Sequence, residues 1–385
     1  MSVWHEPGSG PLSGVRIVDM TSVGMGPYGT QILGDMGADV IKVEAPEGDV
    51  FRTSAPARHA GMGPAFLNLN RNKRGITLNM KDPADLQRLL DLLQDADVFV
   101  SNVRPKALAK LGLDPTTLCA QFPRLIYCSA VGYGQKGPYA TQPAFDDIIQ
   151  AQSGLAALQG ANSDAPAYVN TILADKVAGM ALAYAIPMAL YERERSGMGQ
   201  AIEVPMFETL VSFTLVEHLA GHTFTPPLGE MGYSRVLSPH RKPYRTQDGF
   251  IALLPYTDSQ WRRFFALAER PELMEDPRYV DAQARAGHFN ALYSDLAEIV
   301  ASRTTQEWLA LLADADIPHS KVMGMYDLLE DPHLQATGFF QRVEHPSEGA
   351  LITPSVPVQF SRTPGAIRRL APQQDADHDL LDDLG

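Results

Sequence analysis

The sequence predicts a doubly wound α/β fold built on a parallel sheet, followed by a smaller α+β domain. Three observations lead there. Runs rich in Val, Ile and Leu recur before residue 132, with room for helices between them. A glycine-bearing loop follows the first run, where such folds place their first βα turn. Beyond residue 220 the texture turns to glycine, proline and aromatic residues, which marks entry into a second domain.

Val15–Met20, Asp39–Glu44, Gly75–Met80, Asp97–Val103 and Arg124–Val131 read as strands. In KDPADLQRLLDLLQDA, Asp82 is placed as a helix cap, Pro83 takes the first helical position and leucines recur at helical spacing. A long apolar helix over about Lys176–Glu194 comes later, then SGMGQ as a turn and AIEVPMF as a further strand. Gly221 to Tyr244 (GHTFTPPLGEMGYSRVLSPHRKPY) opens the smaller domain. That domain holds the strand GFIALLP and helices near Asp258–Glu269, His288–Ser302 and Thr304–Ala313. Thr304 and Glu307 make a capping-box pair for the last of these. Past about Phe339, short strands, prolines and the acidic DADHDLLDDLG are expected to return to the first domain. The expected organisation is therefore residues 1–220, 221–335 and 336–385.

The 385 residues are 45% hydrophobic, enough for a large core. A net charge of −13 speaks against nucleic acid or an anionic membrane as a partner for the whole molecule. The N-terminal residues lack the zones of a signal peptide. The most apolar segment, Val177–Leu190, is short for a membrane span and contains Pro187. Cys119 and Cys128, the two cysteines, form no metal-type or disulfide spacing. A cytoplasmic protein without a metal site is the expectation. Charge is unevenly spread: between Asp49 and Asp82 there is no acidic residue, whereas Arg52, Arg58, Arg71, Lys73, Arg74 and Lys81 fall there. This basic island is either a solvated face or a seat for a small polyanion.

The loop SVGMGPYG contains Gly24, Gly26 and Gly29 at dinucleotide-fingerprint spacing, and Glu44 ends the next strand-like run. Thr21, Ser22 and Val23 make the turn longer than that fingerprint wants, and Pro27 suits the first turn of a helix. Two readings follow: a nicotinamide dinucleotide site, or a long βα loop in which Gly29 permits close helix packing.

The ordered blocks PLSGVRIVDMTSVGMGPYGTQILGDMGADVIKVEAP, LNLNRNKRGITLNM, SNVRPKALAKLG, RLIYCSAVGYGQKGPY, ADKVAGMALAYAIPMALYERERSGMGQAIEVPMFE and SPHRKPYRTQDGFIALLP resemble the family III CoA-transferases. That family also includes the α-methylacyl-CoA racemases. The resemblance runs colinearly from about Pro11 to the C-terminus, strongest through Glu208. It implies a Rossmann-like large domain built from both ends of the chain, a smaller domain, and a homodimer of interlocked subunits. It also implies acyl-CoA and a carboxylic acid as substrates, with no permanently bound cofactor. By resemblance the loop at Val23 and Gly24 borders the CoA site. Lys73 and Arg74 fall where the family holds the adenosine end, and Arg104 in SNVRP lies where a βα loop reaches phosphate. An arginine often found after the second strand is replaced here by Ala45. Tyr133 and Gln135, in GYGQ, are expected to line the site.

The resemblance places the family's nucleophilic aspartate at Asp175. A carboxylate can conserve thioester energy by forming an acyl–aspartyl anhydride and then an aspartyl-CoA thioester. From the residues alone, Asp175 stands just before the apolar helix and reads first as its N-cap; only the resemblance turns the reading to catalysis. Racemases of this family carry a His-Asp pair after the GYGQ block; here the run is AFDD, with Phe145 in the histidine's place. Phenylalanine carries no exchangeable proton, so transfer is favoured over racemisation, with His240 and Asp147 as candidate substitutes. A CoA-binding protein without turnover is the non-enzyme reading. Some transferases of this family close a glycine-rich lid; here Gly221, Gly229 and Gly232 lie in that neighbourhood without a consecutive run, so either the lid is built differently or Gly229–Tyr233 serves as one. His240, Arg241 and Arg245 pair either with an acceptor carboxylate or with surface acids.

Overall fold

The computed structural model describes residues 3–4 and 9–384. In chain order the elements are β1 (Arg16–Met20), α1 (Met25–Asp35), β2 (Asp39–Glu44), α2 (Pro64–Leu69), β3 (Lys73–Thr77), α3 (Pro83–Gln94), β4 (Val98–Ser101), α4 (Pro105–Lys110), α5 (Pro115–Gln121) and β5 (Ile126–Val131). There follow α6 (Asp146–Gln152), α7 (Leu155–Gln159), α8 (Leu173–Ser196), β6 (Ala201–Pro205) and α9 (Met206–His218). The six strands form one parallel sheet in the order β3-β2-β1-β4-β5-β6. Strand order reverses between β1 and β4, which makes their carboxyl ends the topological switch point.

Alternation along the strands sends successive residues to opposite faces. Ile17, Val40, Val98 and Cys128 pack with Leu33 of α1 and Leu182 and Ile186 of α8. Val18, Ile41, Phe99 and Tyr127 pack with Leu89, Leu92 and Leu93 of α3 and Leu118 of α5. Two apolar layers therefore cover both faces of the sheet, as parallel strands require. Helix α3 starts as its sequence dictates: Asp82 accepts from the Ala84 N–H and Pro83 takes the first position.

Two elements differ from expectation in ways that matter for the site. Helix α8 begins at Leu173 with Ile172 as its cap residue, a turn before Lys176, and ends at Gly197 with φ of 78°. Its 24 residues are long and apolar enough to cross a bilayer by length and composition, so length excludes nothing; half of its apolar window is nevertheless buried within the protein. Strand β3 begins at Lys73 instead of Gly75, which turns two expected loop cations into strand residues.

The chain divides into two compact units, one of residues 1–156, 167–214 and 332–385, the other of 157–166 and 215–331. In the second, β7 (Tyr244–Arg245), β8 (Phe250–Leu253), α10 (Asp258–Leu267), α11 (Ala282–Ala286), α12 (Phe289–Val300), α13 (Thr305–Leu312) and β9 (His319–Lys321) surround Trp261, Phe264, Tyr293 and Trp308. Capping boxes start α10 at Thr257 and α13 at Thr304. The C-terminal segment contains α14 (Pro332–Ala336) and the antiparallel pair β10 (Phe340–His345) and β11 (Gly349–Pro354). It then runs along the edge strand β3, where the Asp377 and Asp375 carboxylates accept from the Gly75 and Thr77 N–H groups at 2.8 and 2.7 Å. The acidic tail thereby closes an open sheet edge.

Candidate active site

The site forms where helices α1, α6 and α8 begin. Asp175 occupies the first turn of α8, is buried, and has no capping bond to its own helix. Its Oδ1 accepts from the Met25 N–H, the first residue of α1, at 3.2 Å. Its own N–H donates to Oδ1 of Asp146, the first residue of α6, at 3.1 Å. The N-cap reading of Asp175 is thus corrected: the carboxylate serves the neighbouring helix, not α8. The positive ends of α1 and α8 face the carboxylate and favour negative charge there.

The glycines of the opening loop now have physical reasons. A Cβ on Gly24 would lie 2.6 Å from Asp175 Oδ2, so glycine clears the space that the carboxylate occupies. On Gly26 it would meet the Thr21 side chain at 2.4 Å, and on Gly29 the Gly179 carbonyl at 2.7 Å. Helix α1 therefore packs directly on α8 through facing glycines. None of the three positions is reserved for a pyrophosphate, which corrects the dinucleotide reading.

Val23 has φ of 70°, an outlier for a β-branched residue. The surroundings enforce it. Its N–H donates to Asp49 Oδ1 at 3.2 Å, and Asp49 is held by Lys42, whose ammonium donates to Asp49 at 2.9 Å and to the Thr21 carbonyl at 2.7 Å. Asn102, past β4, grips the preceding residue from the other side: Ser22 N–H to Asn102 Oδ1 at 3.1 Å, and Asn102 Nδ2 to Ser22 O at 2.7 Å. The loops after β1 and β4 are thus tied together at the switch point. Exposed Arg104 follows Asn102 by two residues, just before α4.

Burial pushes the Asp175 carboxyl up to about 6, reinforced by the Asp146 charge and opposed by the Met25 N–H. Asp146 is fixed by Gln150, whose Nε2 donates to Asp146 Oδ2 at 2.6 Å. Gln150 Oε1 accepts from Val169 N–H at 2.9 Å, which sets the segment leading into α8. Gln150 escaped sequence reasoning, because a glutamine inside a short helix carries no signal of its own. Asp146 was visible only as the neighbour of Phe145, which is 66% exposed and bears no proton.

Lys73 and Arg74 correct another expectation. The Lys73 ammonium is fully enclosed and spends its donors on Asp19 (3.0 Å), Pro27 O (3.0 Å) and Asn70 Oδ1 (2.8 Å). Arg74 points to the other face of β3 and pairs with Asp39 at 2.6 Å. Neither side chain is free to meet a CoA phosphate. Arg52 and Arg71 of the basic island are likewise buried against Glu44 and Asp35. The island is therefore chiefly an inner scaffold of ion pairs. Tyr133 is buried, with its hydroxyl bonded to Gln152 and its ring near Phe207. Gln135 donates to Tyr133 O at 2.8 Å, so its side chain braces the loop. The glycines near residue 230 serve a close backbone crossing, where a Cβ on Gly221 would lie 2.4 Å from Gly229.

Comparison with known proteins places this geometry. The profile of CoA-transferase family III matches residues 12–378. Human succinyl-CoA:glutarate CoA-transferase is 30% identical over 358 residues, 91% of this chain and 81% of the human protein. The succinyl-CoA–L-malate CoA-transferase alpha subunit of Chloroflexus aurantiacus is 32% identical over 383 residues, 95% of this chain and 87% of that protein. The crystal structure of a CAIB/BAIF family protein from Brucella suis superposes with a TM-score of 0.82 at 28% identity, covering 98% of this chain and 100% of that one.

Proposed function

Because this chain belongs to the family III CoA-transferases, we propose that it moves CoA from an acyl-CoA thioester to a free carboxylic acid through covalent intermediates on Asp175. An Asp175 oxygen attacks the thioester carbonyl, the C–S bond breaks, and CoA leaves as a thiolate. The resulting anhydride links the acyl group to the aspartyl carbonyl. The thiolate returns to the aspartyl carbon and releases the first acid, leaving an aspartyl-CoA thioester. The second acid attacks that thioester, and the thiolate then takes its acyl carbon, which restores the Asp175 carboxylate.

The single observation that carries this reading is the Asp175 carboxylate set against the Met25 N–H in the space left by Gly24. Ionised near neutral pH, it is a nucleophile, and the amides at the start of α1 stabilise charge as it develops on oxygen. The switch-point loops around Val23, Gly24 and Asn102 would border CoA, with the exposed Arg104 meeting phosphate. Exposed Phe145 leaves no histidine for α-proton exchange, and both Asp146 oxygens are already engaged. This favours transfer over racemisation. The names of the two curated relatives, both built on succinyl-CoA with glutarate or malate, support a dicarboxylic acid as acceptor. A homodimer in the cytoplasm completes the proposal. Its support is the row Met180, Tyr184, Met188 and Tyr191 on α8, each more than half exposed.

Covalent loading of Asp175 tests the reading. After incubation with succinyl-CoA, the Asp175 peptide should carry a hydroxylamine-sensitive adduct that Asp175→Ala lacks. A protein that binds CoA and never loads Asp175 would overturn it.

A further inference from the structure

The turn from β1 into α1 hands its N–H groups to side chains. Thr21 N–H donates to Asp19 Oδ1 at 3.0 Å, Ser22 to Asn102 Oδ1 at 3.1 Å, Val23 to Asp49 Oδ1 at 3.2 Å and Met25 to Asp175 Oδ1 at 3.2 Å. Val23 is β-branched, yet it holds φ at 70° two residues before Met25. A left-handed backbone at such a residue relaxes unless its surroundings hold it. Asp49 does so. Its Oδ1 also accepts from Phe51 N–H at 2.9 Å, and its Oδ2 accepts from Lys42 Nζ at 2.9 Å. Lys42 in turn donates to the Thr21 carbonyl at 2.7 Å, so the pair grips the turn on both sides of Ser22. Both side chains are wholly buried.

A buried ion pair adds little net stability over an apolar pair of the same volume, so stability alone does not account for this one. Rotation at Val23 sets where the next two residues lie, and those two residues meet the Asp175 carboxylate. Met25 N–H bonds it, and a Cβ on Gly24 would lie 2.6 Å from its Oδ2. We propose that Lys42 and Asp49 are positioning residues for Asp175, pinning Val23 in its left-handed conformation so that the Met25 N–H stays on the carboxylate. The reactive role of that carboxylate rests on the transferase reading above; the positioning does not. Burial, Asp146 on α6 and the Met25 N–H set the titration of Asp175, and neither Lys42 nor Asp49 is among these causes. Lys176, beside it on α8, gives its ammonium to Thr171 Oγ1 at 2.6 Å. The Met25 bond is the influence that lowers the midpoint, so loosening the turn should raise it above about 6.

The test follows the Asp175 carboxyl by carbon-13 NMR of the full chain labelled at aspartate, with Asp175→Asn to assign the signal. The pH dependence of Asp175 loading from succinyl-CoA is measured beside it. Two double variants, each removing both charges, are compared with wild type, with thermal unfolding as the check on folding. Lys42→Met with Asp49→Ala takes the acceptor from Val23, whereas Lys42→Met with Asp49→Asn keeps an amide oxygen there. The alanine pair should raise the Asp175 midpoint by about 0.5–1 pH unit and carry the acid limb of loading with it. It should also slow loading about 10- to 100-fold at pH 8. The asparagine pair should lie closer to wild type on both readouts. Val23→Pro cannot take a positive φ and leaves the ion pair intact; it should reproduce the alanine pair, and replaces it if that pair fails to fold. An unmoved Asp175 midpoint in the folded alanine pair or in Val23→Pro overturns the proposal. So does a loss of CoA affinity in place of the midpoint shift. If wild-type Asp175 never loads while its midpoint still moves in the alanine pair, the transferase reading falls and the positioning stands. Normal wild-type loading with an unmoved midpoint in the variants sinks the positioning alone.

Discussion

Asp175 lies 150 residues from Met25 in sequence, yet its carboxylate accepts that residue's N–H. The contact exists because Gly24 has no Cβ to fill the space. The carboxyl titrates at about 6 instead of 3.8, chiefly through burial and then through Asp146. The sign follows. The folded state holds this proton more tightly than the unfolded chain, so the buried charge opposes folding above pH 6. On the order of 3 kcal/mol is involved, and the burden fades as pH falls from 6 towards 4. Asp175→Asn should therefore unfold at higher denaturant than wild type at pH 8, with the difference vanishing near pH 4. Equal midpoints at pH 8 would show that Asp175 is not desolvated. At this scale the sequence displayed the glycine spacing and the aspartate, and resemblance supplied the role. What pressed on each glycine was invisible, because partners such as Gly179 and Asp175 meet them only through the packing of α1 on α8.

Strand β3 decided the fate of the basic island. Read as beginning at Gly75, it left Lys73 and Arg74 in a loop; beginning at Lys73, it turns one inward beneath α1 and the other to the opposite face. A two-residue shift of a strand boundary thus converts ligand candidates into scaffold. Burial alone would raise the Asp19 carboxyl, but Lys73 and Lys42 hold it below its ordinary value. Burial draws the Lys73 ammonium down to about 8 against the pull of Asp19, so the pair is ionised at pH 7. Lys73→Met removes the direct ion-pair partner of buried Asp19, leaving it Lys42 at longer range, and should cost about 3 kcal/mol of stability. CoA affinity of the folded variant should match wild type. A selective loss of CoA affinity with stability intact would restore Lys73 as a ligand. The neighbouring helix α8 was legible as a helix but not in its first turn, because Ile172 caps it without any side-chain signal.

Across the whole molecule, the doubly wound pattern was readable because strands buried on both faces leave continuous Val, Ile and Leu runs. The order of strands was not, since it depends on which edges pair, and the C-terminal carboxylates on β3 could not be placed from composition. The proposed homodimer is a property of this scale too. Wild type should sediment at about twice 42.0 kDa. Paired Tyr184→Asp and Met188→Asp changes on α8 should shift it towards the monomer, because they desolvate charge in an apolar row. Wild type at 42.0 kDa would remove the dimer from the account. The central claim is that Asp175 forms the covalent bond, and oxygen transfer tests it most directly. With succinyl-CoA as donor and glutarate labelled with oxygen-18 in its carboxylates as acceptor, one labelled oxygen should appear in the Asp175 peptide and then in the released succinate. Turnover in which the oxygen lost by glutarate appears in succinate while the Asp175 peptide never carries label would contradict a route through Asp175.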